Sequence, residues 1–194
     1  NIDVVHVTLD RALKGDVFLV MAGLGYDAAL MGDTNDTLKD RVGWLAYIDA
    51  GIRNLPGNPV KCTIRLDGGK EISGYPRSVM GGNCGKIMGG LEIFPGARID
   101  DGLLDIMTMA PKGRLGWLGV AAGLLRRGKG KGTSVEYYQC KEAEIFTETP
   151  QEFEVDGDHL GKASHVAFRV DPSALRVRMP HGKKDPAILT DPQV

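Results

Sequence analysis

The chain has 194 residues, of which 42% are hydrophobic and 25% charged, and its formal net charge is −1. This is the make-up of an ordinary globular protein of one domain or two small ones, with no basic field to attract nucleic acid. Cys62, Cys84 and Cys140 are odd in number and unpatterned. They argue against a disulfide framework or a zinc site and fit a reducing, cytoplasmic compartment. No apolar run approaches the roughly 20 residues needed to cross a bilayer, and no signal peptide is recognisable. The chain opens on Asn1 and enters a strand pattern almost at once, which predicts a piece cut from a longer protein.

Apolar runs over residues 2–10 and 17–22 flank Lys14-Gly15-Asp16 and predict a hairpin. Leu38, Leu45, Ile48, Ile52 and Leu55 recur at helical spacing behind Asp36, a natural N-cap. Val60, Cys62, Ile64 and Leu66 alternate with polar residues, as in a half-buried strand, and Asp67-Gly68-Gly69 turns the chain into a strand over 71–80. Further strands are predicted over 103–109, 143–146, 153–155, 165–170 and 175–179, with a second, glycine-interrupted helix over 115–127. Together these predict a mainly β fold, a two-sheet antiparallel sandwich with about two helices, over residues 1–180. Residues 181–194 are polar and read as a frayed tail.

The stretch from Asn83 to Asp105 carries Gly89-Gly90, Pro95 and an Asp100-Asp101-Gly102 turn between two strand patterns. Such dense punctuation over some fifteen residues is long for a turn and points to a functional loop. Asp156-Gly157-Asp158 follows the strand over 153–155. A carboxylate on a turn at a strand end is placed to accept a proton from a hydroxyl, although Asp-Gly is also a common plain turn. Asp100-Asp101-Gly102 divides in the same way between a turn and a hard-cation site. Gly23-Leu24-Gly25 resembles a phosphate loop superficially but lacks a third glycine and a lysine, so a packing turn is favoured. The histidines show no metal-ligand spacing. Arg126, Arg127, Lys129 and Lys131 form a basic cluster that suits either an anionic membrane face or a solvated helix end.

Taken in order, residues 18–28 (FLVMAGLGYDA), 83–105, 154–161 (EVDGDHLG) and the strands over 167–180 resemble the C-terminal domain of the bacterial diacylglycerol kinase and sphingosine kinase-like lipid kinases. The resemblance implies a β-sandwich that supplies the lipid side of a cleft. The family's GGDGT-bearing nucleotide domain, which holds ATP, is absent from this chain. It further implies that the complete protein transfers the γ-phosphoryl of ATP to a lipid hydroxyl, diacylglycerol by default, and that this piece alone is inactive. Asp158 matches the family's general base, one methylene shorter than the usual Glu, with Asp156 as a candidate to share the work. Asn83, Gly89, Gly90 and Pro95 fall in the acceptor-binding loop, where Met88 replaces the first of three usual glycines. By the same resemblance, the Asp101 carboxylate and the carbonyls of Arg98 and Leu103 would hold Mg2+. The partners implied are a lipid, the protein's own N-terminal domain and the inner membrane face, with no nucleic acid; homodimerisation stays open. A lipid-binding sandwich without catalysis and a kinase for a small molecule such as NAD are the competing readings.

Overall fold

The computed structural model describes residues 1–10, 12–25, 59–86, 92–113, 116, 119–120 and 134–178. Among them the chain forms ten strands: β1 (Ile2–Leu9), β2 (Asp16–Phe18), β3 (Met21–Leu24), β4 (Cys62–Leu66), β5 (Lys70–Gly74), β6 (Ser78–Gly82), β7 (Leu104–Met109), β8 (Val135–Cys140), β9 (Glu142–Val155) and β10 (Asp158–Leu175). All pairings are antiparallel, and the hydrogen-bonded path runs β2-β1-β10-β9-β3-β6-β7-β8.

The two layers of the expected sandwich are branches of one sheet, and the branch point is β9. Its first half pairs with β4 from Ala143 to Thr147, and its end pairs with β3 from Phe153 to Val155. The β4–β5 hairpin and the β3-β6-β7-β8 ribbon thus diverge from one strand and fold toward each other. Side chains of both branches meet in one core, where Cys62, Ile64 and Leu66 of β4 join Val79, Leu104 and Ile106. Phe168 of β10 stands edge-on to Phe18 and also meets Phe153, fixing the centre of that core. The opposite face of β6 and β7 presents Met80, Met107 and Met109 to a smaller cluster with Phe94, Ala97 and Val120.

Several expected boundaries move. Residues 17–22 are two strands, because Leu19 and Val20 turn a corner. The expected strand over 71–80 is interrupted before β6 at Tyr75, Pro76 and Arg77, since proline cannot donate to a ladder. The runs over 143–146 and 153–155 belong to the single 14-residue β9, in which Thr147–Pro150 had hidden the continuity. The run over 165–170 is part of the 18-residue β10, but the strand expected over 175–179 is not formed: β10 ends at Leu175, residues 176–178 are in no strand, and 179 lies outside the described residues. β8 is a strand not foreseen. The helix expected near residues 38–55 and the tail over 181–194 lie outside the described residues. Of the helix expected over 115–127 only 116, 119 and 120 are described, and they are helical, as is 113 just ahead of it.

Cys62 and Cys140 are 2% exposed, and burial pushes their thiols up to about 11 and about 12, with Asp67 and Asp105 adding to the rise at Cys140. Cys84 is half-buried and donates to the Lys86 carbonyl at 3.1 Å. A thiol titration of the native chain at pH 8 is therefore expected to label Cys84 rapidly and the other two only after denaturation. Mass mapping that finds Cys62 or Cys140 in the fast phase contradicts the buried register of β4 or β8.

Candidate active site

The site is assembled at the edge of the sheet where β3 begins. Met21 lies opposite Gly82 and Ala22 opposite Val155, so β6 and β9 both end beside the first residues of β3. The Asn83 loop and the Asp156-Gly157 turn thus leave the sheet at one edge, flanking a single strand, with the two outer strands roughly 10 Å apart. Asp156 and Gly157 have φ of 46° and 93°, the positive values a two-residue type I′ hairpin demands.

Asp156 is gripped by the main chain. Its Oδ2 accepts the Leu19 N–H at 2.8 Å, and its Oδ1 accepts those of Val20 and Met21 at 3.0 and 2.9 Å. Its own N–H donates to the Met21 carbonyl at 2.8 Å. Three successive N–H groups aimed at one point make an anion hole, and here the protein's own carboxylate fills it. Asp158 is exposed and lies directly opposite Val155, so it shares a face with that core residue. No hydrogen bond or ion pair to its carboxylate is formed among the described residues. His159 faces the other way, opposite Glu154, and its Nε2 lies 3.3 Å from Glu152 rather than against Asp158. Burial pushes the Glu154 carboxyl up, and the nearby His159 partly offsets this.

Asn83 is fully buried. Its N–H donates to the Val20 carbonyl, and its Nδ2 donates to the carbonyls of Leu19 at 3.0 Å and Asp3 at 3.2 Å. It braces the corner from inside. The loop beyond it is pinned at its base by N–H bonds from Ile93 and Phe94 to the Gly85 carbonyl. Pro95 is half-buried in the Phe94–Ala97 turn, which Gly96 completes at φ 85°. Gly89, Gly90 and Met88 lie outside the described residues, as does the basic cluster from Arg126 to Lys131.

At the same end, Asp101 Oδ1 accepts the Leu103 N–H at 3.0 Å. Burial pushes the Asp101 carboxyl up; the Leu103 N–H opposes that, the Asp3 charge adds to it, Arg98 opposes it and Asp100 adds. Asp101 thus spends one carboxylate oxygen on the main-chain N–H of Leu103 and feels the charges of Asp3, Arg98 and Asp100. No cluster of three His, Cys, Asp or Glu gathers for a metal among the described residues. The Gly23-Leu24-Gly25 segment does not fit a phosphate. Gly25 donates its N–H to the Glu152 carbonyl, and a Cβ there would lie 2.5 Å from the Arg77 carbonyl oxygen. It is a packing turn, as favoured.

Asp3, Gly82 and Gly85 escaped the sequence reading. Asp3 is buried at 0% exposure and links the Asp101 loop to Asn83, since its Oδ2 accepts Gly102 N–H at 2.6 Å while its carbonyl accepts Asn83 Nδ2. An Asp between the apolar residues Ile2 and Val4 of a strand was the available signal.

Comparison with known proteins bears on the family and the fold. Residues 20–179 match the family described as the YegS C-terminal NAD kinase beta sandwich-like domain. A "Probable lipid kinase YegS-like" protein of Pseudomonas aeruginosa strain UCBPP-PA14 is 28% identical over 88% of this chain and 56% of its own length. One of Pseudomonas fluorescens strain Pf-5 is 29% identical over 86% of this chain and 54% of its own. The chain spans about half the length of these curated relatives. A solved "putative diacylglycerol kinase" from Bacillus anthracis str. Sterne superposes on 88% of the chain and 55% of its own, with a TM-score of 0.67 at 20% identity, which supports the fold. No helix among the described residues is long and apolar enough to cross a membrane. By the match across most of its length, the chain belongs to the YegS C-terminal NAD kinase β-sandwich-like domain family.

Proposed function

We propose that this chain is the acceptor-side domain of an ATP-dependent lipid kinase, in which Asp158 removes the proton from the attacking lipid hydroxyl. The observation that carries the proposal is the shared sheet edge. The Asp156-Gly157 turn and the loop that starts at Asn83 flank the first residues of β3, and Asp158 opens β10 as an exposed residue at the same end of the sheet, with β9 between it and β3. Phosphoryl transfer needs in-line positioning, charge neutralisation and a base beside the nucleophile. This chain supplies the base and the acceptor loop; ATP phosphates and their magnesium are assigned to the nucleotide domain, since no cradle for them is found among the described residues. Asp101 with the Arg98 and Leu103 carbonyls would hold a further cation that stiffens the loop entering β7. The absence of a fixed partner leaves Asp158 free to approach a hydroxyl.

The test uses the full-length parent with radiolabelled ATP, offered diacylglycerol, sphingosine, phosphatidylglycerol and NAD. Label is expected in a lipid, diacylglycerol first, and Asp158→Asn is expected to lower that rate by at least about 100-fold, the scale of a lost general base. Transfer to lipid at near-parental rate by the variant removes Asp158 from the role. Labelling of NAD alone removes the lipid.

A further inference from the structure

We infer that Asp156 is a positioning residue for Asp158 and takes no share in proton transfer; this rests on the reading of Asp158 as the base. The two carboxylates are two residues apart in sequence yet differ entirely in their surroundings. Asp156 spends both oxygens on the consecutive N–H groups of Leu19, Val20 and Met21 and returns its own N–H to Met21. A carboxylate so held is a fixed anion, exposed on its outer side; taking up a proton would weaken the three main-chain bonds that it accepts. Asp158 follows across a turn of only Asp156 and Gly157, both at positive φ, so wherever Asp156 is held the next carboxylate is held too.

The same clamp reaches the acceptor loop. Leu19 and Val20 give their N–H groups to Asp156 and their carbonyls to Asn83. One dipeptide, exposed to neither ladder as a regular strand, is therefore held from both sides. Through it the turn carrying the base and the first residue of the acceptor loop are set in a single register. Loosening Asp156 should let the base drift relative to the loop, and displacements on the order of 1 Å can cost about 100-fold in rate. Asp156→Asn replaces one acceptor oxygen by an NH2 facing main-chain N–H groups, so at least one bond is lost and a donor opposes a donor. Asp156→Glu keeps the charge but moves the carboxylate away from the turn.

The experiment compares Asp156→Asn, Asp156→Glu and Asp158→Asn in the full-length protein, reading kcat, KM and the pH–rate profile on the lipid that the parent labels. Asp156→Asn should lower kcat about 10- to 100-fold with KM changed less than about threefold, while the acid limb of the profile stays in place. Asp158→Asn should abolish that limb. Asp156→Glu should fall between parent and Asp156→Asn, because charge alone does not restore the grip. Parental kcat in folded Asp156→Asn, with Asp158→Asn inactive, overturns the positioning role and leaves the base intact. Loss of the acid limb in Asp156→Asn while Asp158→Asn keeps it makes Asp156 the base and overturns both. Parental activity in Asp158→Asn removes the base, and the positioning role with it. Should Asp156→Asn fail to fold, Asp156→Glu is read in its place, where parental kcat is the overturning result. Amide exchange on the parent adds a reading independent of activity: the Leu19, Val20 and Met21 N–H groups are expected to be protected, and fast exchange there contradicts the clamp.

Discussion

Replacing Asp3 by alanine is expected to cost about 3–5 kcal/mol of folding stability, the sum of two hydrogen bonds to a charged acceptor. The carboxylate is completely buried and accepts the N–H of Gly102 at 2.6 Å and of Ser173 at 2.7 Å. Neither donor is given another protein partner by the truncation, so both charge-assisted bonds are lost, while Asp3 itself leaves an empty buried position. The main-chain N–H of Asp3 still reaches the Ile99 carbonyl, which keeps β1 against the loop but does not replace the lost acceptors. Asp3→Asn retains one acceptor oxygen and is expected to lose about half as much. Urea denaturation of the two variants is the measurement. A loss below about 1 kcal/mol for Asp3→Ala would mean that water replaces the carboxylate and that the three-way junction of β1, the Asp101 loop and the end of β10 is not held by it.

The second large effect is expected at Gly82. A Cβ built there lies 2.3 Å from two ring carbons of Phe94, far inside contact distance. Phe94 is 1% exposed, and its ring cannot swing away without opening the cluster formed by Met80, Ala97 and Met107. Gly82→Ala should therefore destabilise by about 2–3 kcal/mol, the cost of overpacking a rigid site. The double variant Gly82→Ala/Phe94→Leu relieves the clash, so it should be more stable than the sum of the two single changes predicts. Additivity of the two would show that the ring does not rest on Gly82. The consequence reaches the active site, since Gly82 precedes Asn83 and Phe94 closes the loop that Asn83 opens.

The β class was legible because alternation survives in single strands. Cys62, Ile64 and Leu66 point inward as their spacing requires. β8 was not, because Val135–Cys140 packs on both faces, Val135 and Tyr137 against one cluster and Tyr138 and Cys140 against the other, and so gives no clean period. The unity of β9 was masked by Pro150, which reads as a breaker although the strand continues through it into Gln151. Asp158 was proposed from its motif, and its exposed place on β10, across β9 from β3, follows from pairing that sequence spacing does not reveal. Asp156 was legible as a turn residue and as a candidate to share the base's work, but not as the anchor of the corner. What it grips lies 135 to 137 positions away, beyond the reach of any local pattern. Attention to Gly89-Gly90 also hid Gly82 and Gly85, whose role comes from what packs on them.

The pairing of β1 with β10 carries a consequence for how the chain is made. Val5 must find Val170, and Thr8 must find Ala167, so β1 is synthesised well over a hundred residues before the long strand that covers its other flank. Until then only three-residue β2 covers one flank of β1, and an apolar ribbon stands open during synthesis. Such long-range closure is slow, which makes the nascent chain a natural client for chaperones that shield bare strand edges.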